Sequence, residues 1–96
     1  GRWYRLAGEQ GSAAAQNNLG LMYSNGYGVP KDDAEAVRWF RLAAEQGEAS
    51  AQNNLGAMYE SGTGVQEDAA EAARWYRLAA GQGEARRRRR GVRRFS

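Results

Sequence analysis

The sequence repeats itself every 36 residues, and this repetition limits the possible folds more than any other feature. Residues 13–48 and 49–84 are identical at 25 of 36 positions, and both contain the segment Ala-Gln-Asn-Asn-Leu-Gly. Residues 1–12 match residues 37–48 at eight of twelve positions. A period of about 20 to 50 residues is typical of stacked arrays in which each unit contacts its neighbours. The sequence therefore predicts the end of a truncated repeat at 1–12, two complete repeats, and a different segment at 85–96.

Each repeat has the periodicity of two helices joined by a glycine-containing turn. The first helix is expected at about 13–24 and 49–60, with one apolar face in each copy. That face consists of Ala15, Leu19, Met22 and Tyr23 in one repeat and of Ala51, Leu55, Met58 and Tyr59 in the next. Gly20 and Gly56 lie inside this helix, where glycine costs about 1 kcal/mol relative to alanine. We therefore expect a large ring to approach each glycine, with the Trp of a neighbouring helix as the natural candidate.

The second helix is predicted to begin at Asp32 or Asp68, each followed three residues later by Glu, as in a capping box. We expect it to end at Gly47 or Gly83, each in the left-handed conformation. Its core stripe consists of Ala36, Trp39, Phe40 and Ala43, repeated as Ala72, Trp75, Tyr76 and Ala79. Its arginines are expected on solvated faces, with Glu35–Arg38 and Glu71–Arg74 paired at i,i+3.

The complete pattern resembles the Sel1-like repeat, a relative of the tetratricopeptide repeat. The matching residues in the first complete copy are Ala15, Leu19, Gly20, Met22, Tyr23, Gly26, Gly28, Val29, Asp32, Ala36, Trp39, Phe40, Ala43, Ala44, Gln46 and Gly47. The resemblance covers about residues 1–85 and implies an all-α fold, a right-handed α/α solenoid of antiparallel helix pairs. It also implies a bacterial adaptor or scaffold that binds a protein or peptide partner on its concave helical surface.

On the helix wheel, Asn17 and Leu21 lie away from the buried stripe, as do Asn53 and Ala57 in the second copy. One hypothesis places these four residues on the concave surface, where a partner would bind. The alternative is that the amides bond within the stack, which we expect for Asn18 and Asn54 and which remains open for Asn17 and Asn53.

The composition removes most catalytic chemistry. The chain has no Cys and no His, so it lacks thiol nucleophiles, thiolate metal sites and the commonest general base. The turns "GYG" and "GTG" lack the Lys-Ser/Thr of a phosphate-binding loop, and the acidic residues are explained as helix caps. We therefore expect no enzyme, cofactor or metal. Some bacterial relatives carry paired cysteines and a penicillin-handling activity, and the missing cysteines put that alternative in doubt here.

The segment after Ala85 departs from the repeat and is rich in arginine. It contains Arg86, Arg87, Arg88, Arg89, Arg90, Arg93 and Arg94, and removing these seven charges turns the formal net charge of +3 into −4. We expect mutual repulsion to leave residues 85–96 disordered or loosely helical. Three interpretations remain: binding to nucleic acid, an anionic membrane surface or an acidic protein, presentation of Ser96 to a kinase, or an accidental end of the array.

Two further expectations concern the whole chain. About three stacked repeats are usually needed for stability, so marginal stability or self-association through uncovered repeat ends is expected. No signal peptide is visible, and the compartment cannot be read from these residues.

Overall fold

The computed structural model describes the backbone of residues 11–95 and the side chains of residues 11–82. It contains four helices: α1 (Ala13–Asn25), α2 (Asp33–Glu45), α3 (Ala49–Ser61) and α4 (Ala69–Phe95), and no strand occurs in this range. Each helix packs against the next along the chain, so the two repeats form stacked helix pairs. The predicted all-α solenoid is therefore confirmed. The truncated repeat expected at 1–12, with Trp3, lies almost entirely outside the described residues, as does Ser96.

The second helix of each repeat begins as predicted, at an aspartate. Oδ1 of Asp32 accepts a hydrogen bond from the backbone N–H of Glu35, and Asp68 does the same for Glu71, both at 3.1 Å. The capping box is only half formed, however, because the backbone N–H of Asp32 donates to the carbonyl of Tyr23 at 2.9 Å. The glutamate is thereby free to pair with an arginine one turn further on, as the i,i+3 spacing predicts.

The helix ends follow the glycine pattern with one exception. Gly26 and Gly62 have φ of 71° and 68° and end the first helix of each repeat. Gly47, with φ of 93°, follows the end of α2 as expected. The prediction that Gly83 ends the last helix is wrong, because α4 continues to Phe95. Of the two states expected for 85–96, disordered or loosely helical, the backbone through Phe95 is helical, which agrees with the good helix propensity of Ala, Glu and Arg.

The core lies between the paired helices and consists mainly of the predicted stripes, together with Val37 and Ala44. Four stripe residues are only half-buried: Ala15, Met22, Tyr23 and Tyr76. Trp39 and Leu55 are fully buried. The other buried members of the stripes are Leu19, Ala36, Phe40, Ala43, Ala51, Met58, Tyr59, Ala72, Trp75 and Ala79. The interpretation of the Trp and Tyr residues as packing groups, and not as a ligand cage, is consistent with this burial.

Gly20 and Gly56 each face an aromatic ring, but the ring is not the expected tryptophan. A Cβ on Gly20 would collide with the ring of Phe40, and one on Gly56 would lie 2.9 Å from Cε1 of Tyr76. Adjacent residues on a helix point roughly 100° apart. In each Trp-Phe or Trp-Tyr pair, the second aromatic residue is therefore the one that packs against the glycine.

Candidate partner-binding surfaces

In each repeat, the glutamine of the Ala-Gln-Asn-Asn-Leu-Gly segment links the two helices. Gln46 donates its side-chain amide to Oε1 of Gln16, and Gln82 donates to Oε1 of Gln52 at 2.8 Å. Gln16 and Gln52 are each only 4% exposed. A buried amide without a partner is costly, so these bonds give the two glutamines a structural role at the base of each helix pair.

Polar contacts also join one repeat to the next. Nδ2 of Asn54 donates to Oδ1 of Asn17 at 3.1 Å, and Nε2 of Gln52 donates to the carbonyl of Ala44 at 3.1 Å. These bonds cross from α3 to α1 and from α3 to α2. The structural role expected for Asn54 is therefore observed, and Asn17 is its acceptor.

The four residues proposed from the sequence for partner binding do not share one environment. Asn17 is buried, at 9% exposure, and engaged by Asn54. Leu21 is 37% exposed, and Asn53 and Ala57 are exposed. We call the surface formed by Leu21, Asn53 and Ala57 the α1–α3 face. Asn18, for which bonding within the stack was expected, is exposed.

A second surface feature is an open groove of about 390 Å³ between α2 and α4, which we call the α2–α4 groove. Its lining includes two arginines, one glutamate, one buried glutamine and two apolar residues: Arg41, Arg74, Glu45, Gln52, Trp75 and Leu78. The guanidinium of Arg74 lies 4.4 Å from the centre of the Trp75 ring. A cation over an aromatic face is attracted by the electron density of the ring, so this contact helps to position Arg74.

Arg41 was expected on a solvated face, but it is half-buried and links the two repeats. Its Nη2 donates to the hydroxyl of Tyr59 at 2.6 Å, and its guanidinium lies 5.5 Å from the centre of the Tyr59 ring. Among the residues whose side chains are described, no carboxylate forms an ion pair with Arg41. Nothing in the sequence indicates this role, because the equivalent residue of the next repeat is also an arginine, Arg77, and that one is exposed.

The other arginines of the second helices behave as the spacing predicts. Nε of Arg38 bonds to Glu35 at 3.2 Å, and Nε of Arg74 bonds to Glu71 at 3.0 Å. The hydrogen bond from Arg74 lowers the pKa of the Glu71 carboxyl below its ordinary value, and the same bond raises the pKa of Arg74. In both pairs the arginine is exposed and the glutamate is partly exposed, so each pair contributes little to stability in water.

The hydroxyl of Tyr76 lies in an environment that shifts its pKa. Burial raises the pKa of its hydroxyl, and the nearby carboxylate of Glu60 raises it further. The ring of Tyr76 packs against Gly56, so its environment follows from the helix pairing described above.

Neither described surface has the ligand set of a metal centre. Across the residues with described side chains, no group of three or more acidic residues is placed to hold a metal ion. In the same part of the chain, no helix is both long and apolar enough to cross a membrane.

Known proteins with the same repeat support this architecture. The Sel1 repeat family model matches residues 2–12, 13–48 and 49–84. Similar solved structures include c5321, a protective antigen of uropathogenic Escherichia coli strains with an SLR fold, at 54% identity and a TM-score of 0.83. A Sel1 repeat protein from Oxalobacter formigenes is 48% identical with a TM-score of 0.83. Cysteine-rich protein B of Helicobacter pylori is 26% identical with a TM-score of 0.81.

The similarity covers 85%, 88% and 85% of this chain but only 18%, 35% and 62% of these three proteins, in the same order. The chain therefore corresponds to a part of their length. No curated protein matches it.

Proposed function

The chain belongs to the Sel1 repeat family, whose members are typically protein-interaction modules, and we propose that it binds a partner polypeptide on the α1–α3 face. The resemblance implies that this face is concave. In this proposal the chain is a non-catalytic adaptor. In support of this, Asp32 and Asp68 serve as helix caps, and Glu35 and Glu71 pair with arginines.

The observation that carries the proposal is the exposure of Leu21, Asn53 and Ala57 on adjacent first helices. Leu21 offers apolar surface, Ala57 allows close approach, and Asn53 offers one acceptor and two donors. A peptide has both apolar side chains and unpaired backbone groups, so a surface with both characters suits it. Asn17 has no place in this surface, because Asn54 already engages it.

The test is selection of binding peptides from a random library displayed on phage, with the intact chain as bait. Each selected peptide is then measured against Ala57→Arg and against Ala70→Arg. Both alanines are exposed, but only Ala57 lies on the α1–α3 face. We expect Ala57→Arg to weaken binding about tenfold or more through a steric clash, and Ala70→Arg to have little effect.

The proposal fails if the selected peptides bind Ala57→Arg as tightly as the parent protein. Circular dichroism of both variants checks that helicity is intact. A peptide that loses binding to Asn53→Ala as well would show that the amide takes part in recognition.

A second candidate function is polyanion binding by the arginines at 86–94. It is favoured by the helical backbone of α4, which continues through Phe95 and so places the arginines at 86–94 on a single helix. Phosphates attract such charges through counterion release. Replacing Arg86 to Arg90 by Gln should abolish binding of a single-stranded RNA and remove its salt dependence. Unchanged binding would exclude this function.

A further inference from the structure

The α2–α4 groove combines features that the proposed function does not use. It lies between the second helices of the two repeats, whereas the proposed partner surface belongs to the first helices. Its charged residues come from both repeats, so the groove exists only because the repeats are stacked. Its polar base is Gln52, whose amide bonds to Ala44 and Gln82.

Arg41 is held in place without having its charge neutralised. It bonds to the neutral hydroxyl of Tyr59 and lies against the ring of the same residue. A guanidinium has five N–H donors arranged for bidentate contact with a carboxylate. Only one donor of Arg41 is used within the described side chains, so most of its fork remains available to a ligand.

Arg74 and Leu78 complete the chemical character of the groove. Arg74 uses Nε and Nη2 to bond to Glu71, an exposed pair that a competing carboxylate can share. Leu78 lies one helical turn after Arg74 and is 45% exposed, so apolar surface adjoins the positive charge. The opposing charge in the lining is Glu45, an exposed residue four positions after Arg41 on α2.

We propose that the α2–α4 groove binds an acidic peptide segment of a partner protein, with a carboxylate held by Arg41 and Arg74 and a neighbouring aliphatic side chain packed on Leu78. Charge complementarity to the free fork of Arg41 selects the acidic residue. The exposed leucine favours an apolar residue next to it. This site is separate from the α1–α3 face and does not depend on the function proposed there.

The test uses a fluorescein-labelled eight-residue peptide of alternating Asp and Leu, measured by fluorescence anisotropy on the intact chain at physiological salt. Arg41→Gln should weaken binding roughly tenfold, as expected for loss of a partly desolvated charge pair. Arg77→Gln is the matched control, because it removes the same charge from an exposed position whose Nε bonds only to the carbonyl of Ala73. It should change the affinity less than about twofold.

Two further variants keep the proposal testable should Arg41→Gln fold poorly. Glu45→Gln removes the opposing charge and should tighten binding about two- to threefold. Leu78→Ala removes the apolar contact and should weaken binding about threefold or more. Both side chains are exposed, so the fold should tolerate either change.

The position of the peptide is read from the indole N–H resonance of Trp75, which lines the groove. We expect this resonance to shift on titration in the parent protein and not with a matched Asn-Leu peptide. Equal losses from Arg41→Gln and Arg77→Gln, or an unmoved Trp75 resonance, would show general electrostatic attraction and overturn the proposal. The proposal is also overturned if the Trp75 resonance shifts because the chain self-associates, and not because the peptide binds.

Asn53→Ala and Ala57→Arg should bind the acidic peptide normally. Failure of the α1–α3 face as a binding surface would therefore leave this result unchanged, and the two proposals can fail independently.

Discussion

At the scale of single residues, identical residues at equivalent positions of the two repeats have different roles. Asn17 accepts a hydrogen bond from Asn54 and is buried, whereas the equivalent Asn53 is exposed. The difference arises because a residue on one side of a repeat is covered only where another first helix lies beside it. Sequence comparison alone cannot show this difference, since both copies read Ala-Gln-Asn-Asn-Leu-Gly.

The first prediction follows from this asymmetry. Asn17→Ala should lower the free energy of unfolding by about 1 kcal/mol, because it removes the acceptor of the Asn54 amide. Asn53→Ala should stay within about 0.5 kcal/mol of the parent protein, as is usual for exposed positions. Urea denaturation measures both values.

Asn54→Ala serves as the control for that pair. Because Asn17 and Asn54 share one bond, the double variant should lose less than the sum of the two single losses. Additive losses would mean that the bond contributes nothing to stability.

The second prediction concerns glycines inside helices. Gly20→Ala should destabilise the protein by about 1–3 kcal/mol despite the better helix propensity of alanine, because the new methyl group would overlap the Phe40 ring. Gly81→Ala is the matched control, since nothing lies within 4 Å of a Cβ built there. That substitution should stabilise the helix by about 0.5–1 kcal/mol.

Thermal unfolding followed by circular dichroism compares the two glycine variants. Equal effects of the same sign would contradict the close packing of Phe40 on α1. From the sequence, the ring at Gly20 was expected to be a tryptophan, whereas it is Phe40. Helical periodicity identifies a buried stripe but does not say which residue of that stripe faces which neighbouring helix.

At the scale of elements, the sequence identified the four helices of residues 11–95 and most of their ends. The observed first helices end one residue later than expected, at Asn25 and Ser61. The aspartate caps were predictable because they act locally on the chain. The continuation of α4 past Gly83 was not predictable, because a glycine allows a helix to end but does not require it to end.

The third prediction concerns the Glu71–Arg74 pair on α4. The pKa of Glu71 is lowered in the folded protein, so the contribution of the pair is present above the ordinary pKa of 4.5 and is lost as pH falls through the lowered value. The melting temperature of the parent protein should therefore fall more steeply below pH 4.5 than that of Glu71→Gln.

Arg74→Gln removes the same interaction from the other side and should flatten the acid profile equally. Parallel profiles for the parent protein and both variants would show that this exposed pair has no effect on folding stability. Melting curves between neutral pH and about pH 3 provide the comparison.

At the scale of the whole molecule, stability depends on how many repeats are stacked. In a linear array, the free energy of unfolding is approximately the sum of terms for each repeat and for each interface between neighbours. The interface here contains the bonds Asn54–Asn17, Gln52–Ala44 and Arg41–Tyr59. The sequence predicted that neighbouring repeats stack. It could not predict the hydrogen-bond partners of Arg41 and Asn17, because these depend on how the helices are placed in three dimensions.

The fourth prediction tests this additivity. Inserting a further copy of residues 13–48 after Glu48 adds one repeat and one interface of the same composition. We expect a higher melting temperature and a larger dependence of the unfolding free energy on urea, because more surface is exposed on unfolding. An unchanged or lower melting temperature would contradict additive stacking. Sedimentation of both proteins shows whether the extra repeat also reduces self-association.

The Asn54–Asn17 bond has a consequence for how such an array can change over generations. It joins residues that lie 37 positions apart in the chain and belong to different repeats. A substitution in one repeat therefore alters the fit of its neighbour as well as its own packing. Duplication of a whole repeat copies donor and acceptor together and preserves every junction. Lengthening by entire units is thus the least disruptive route of divergence, while drift of a single unit is restrained by the units beside it.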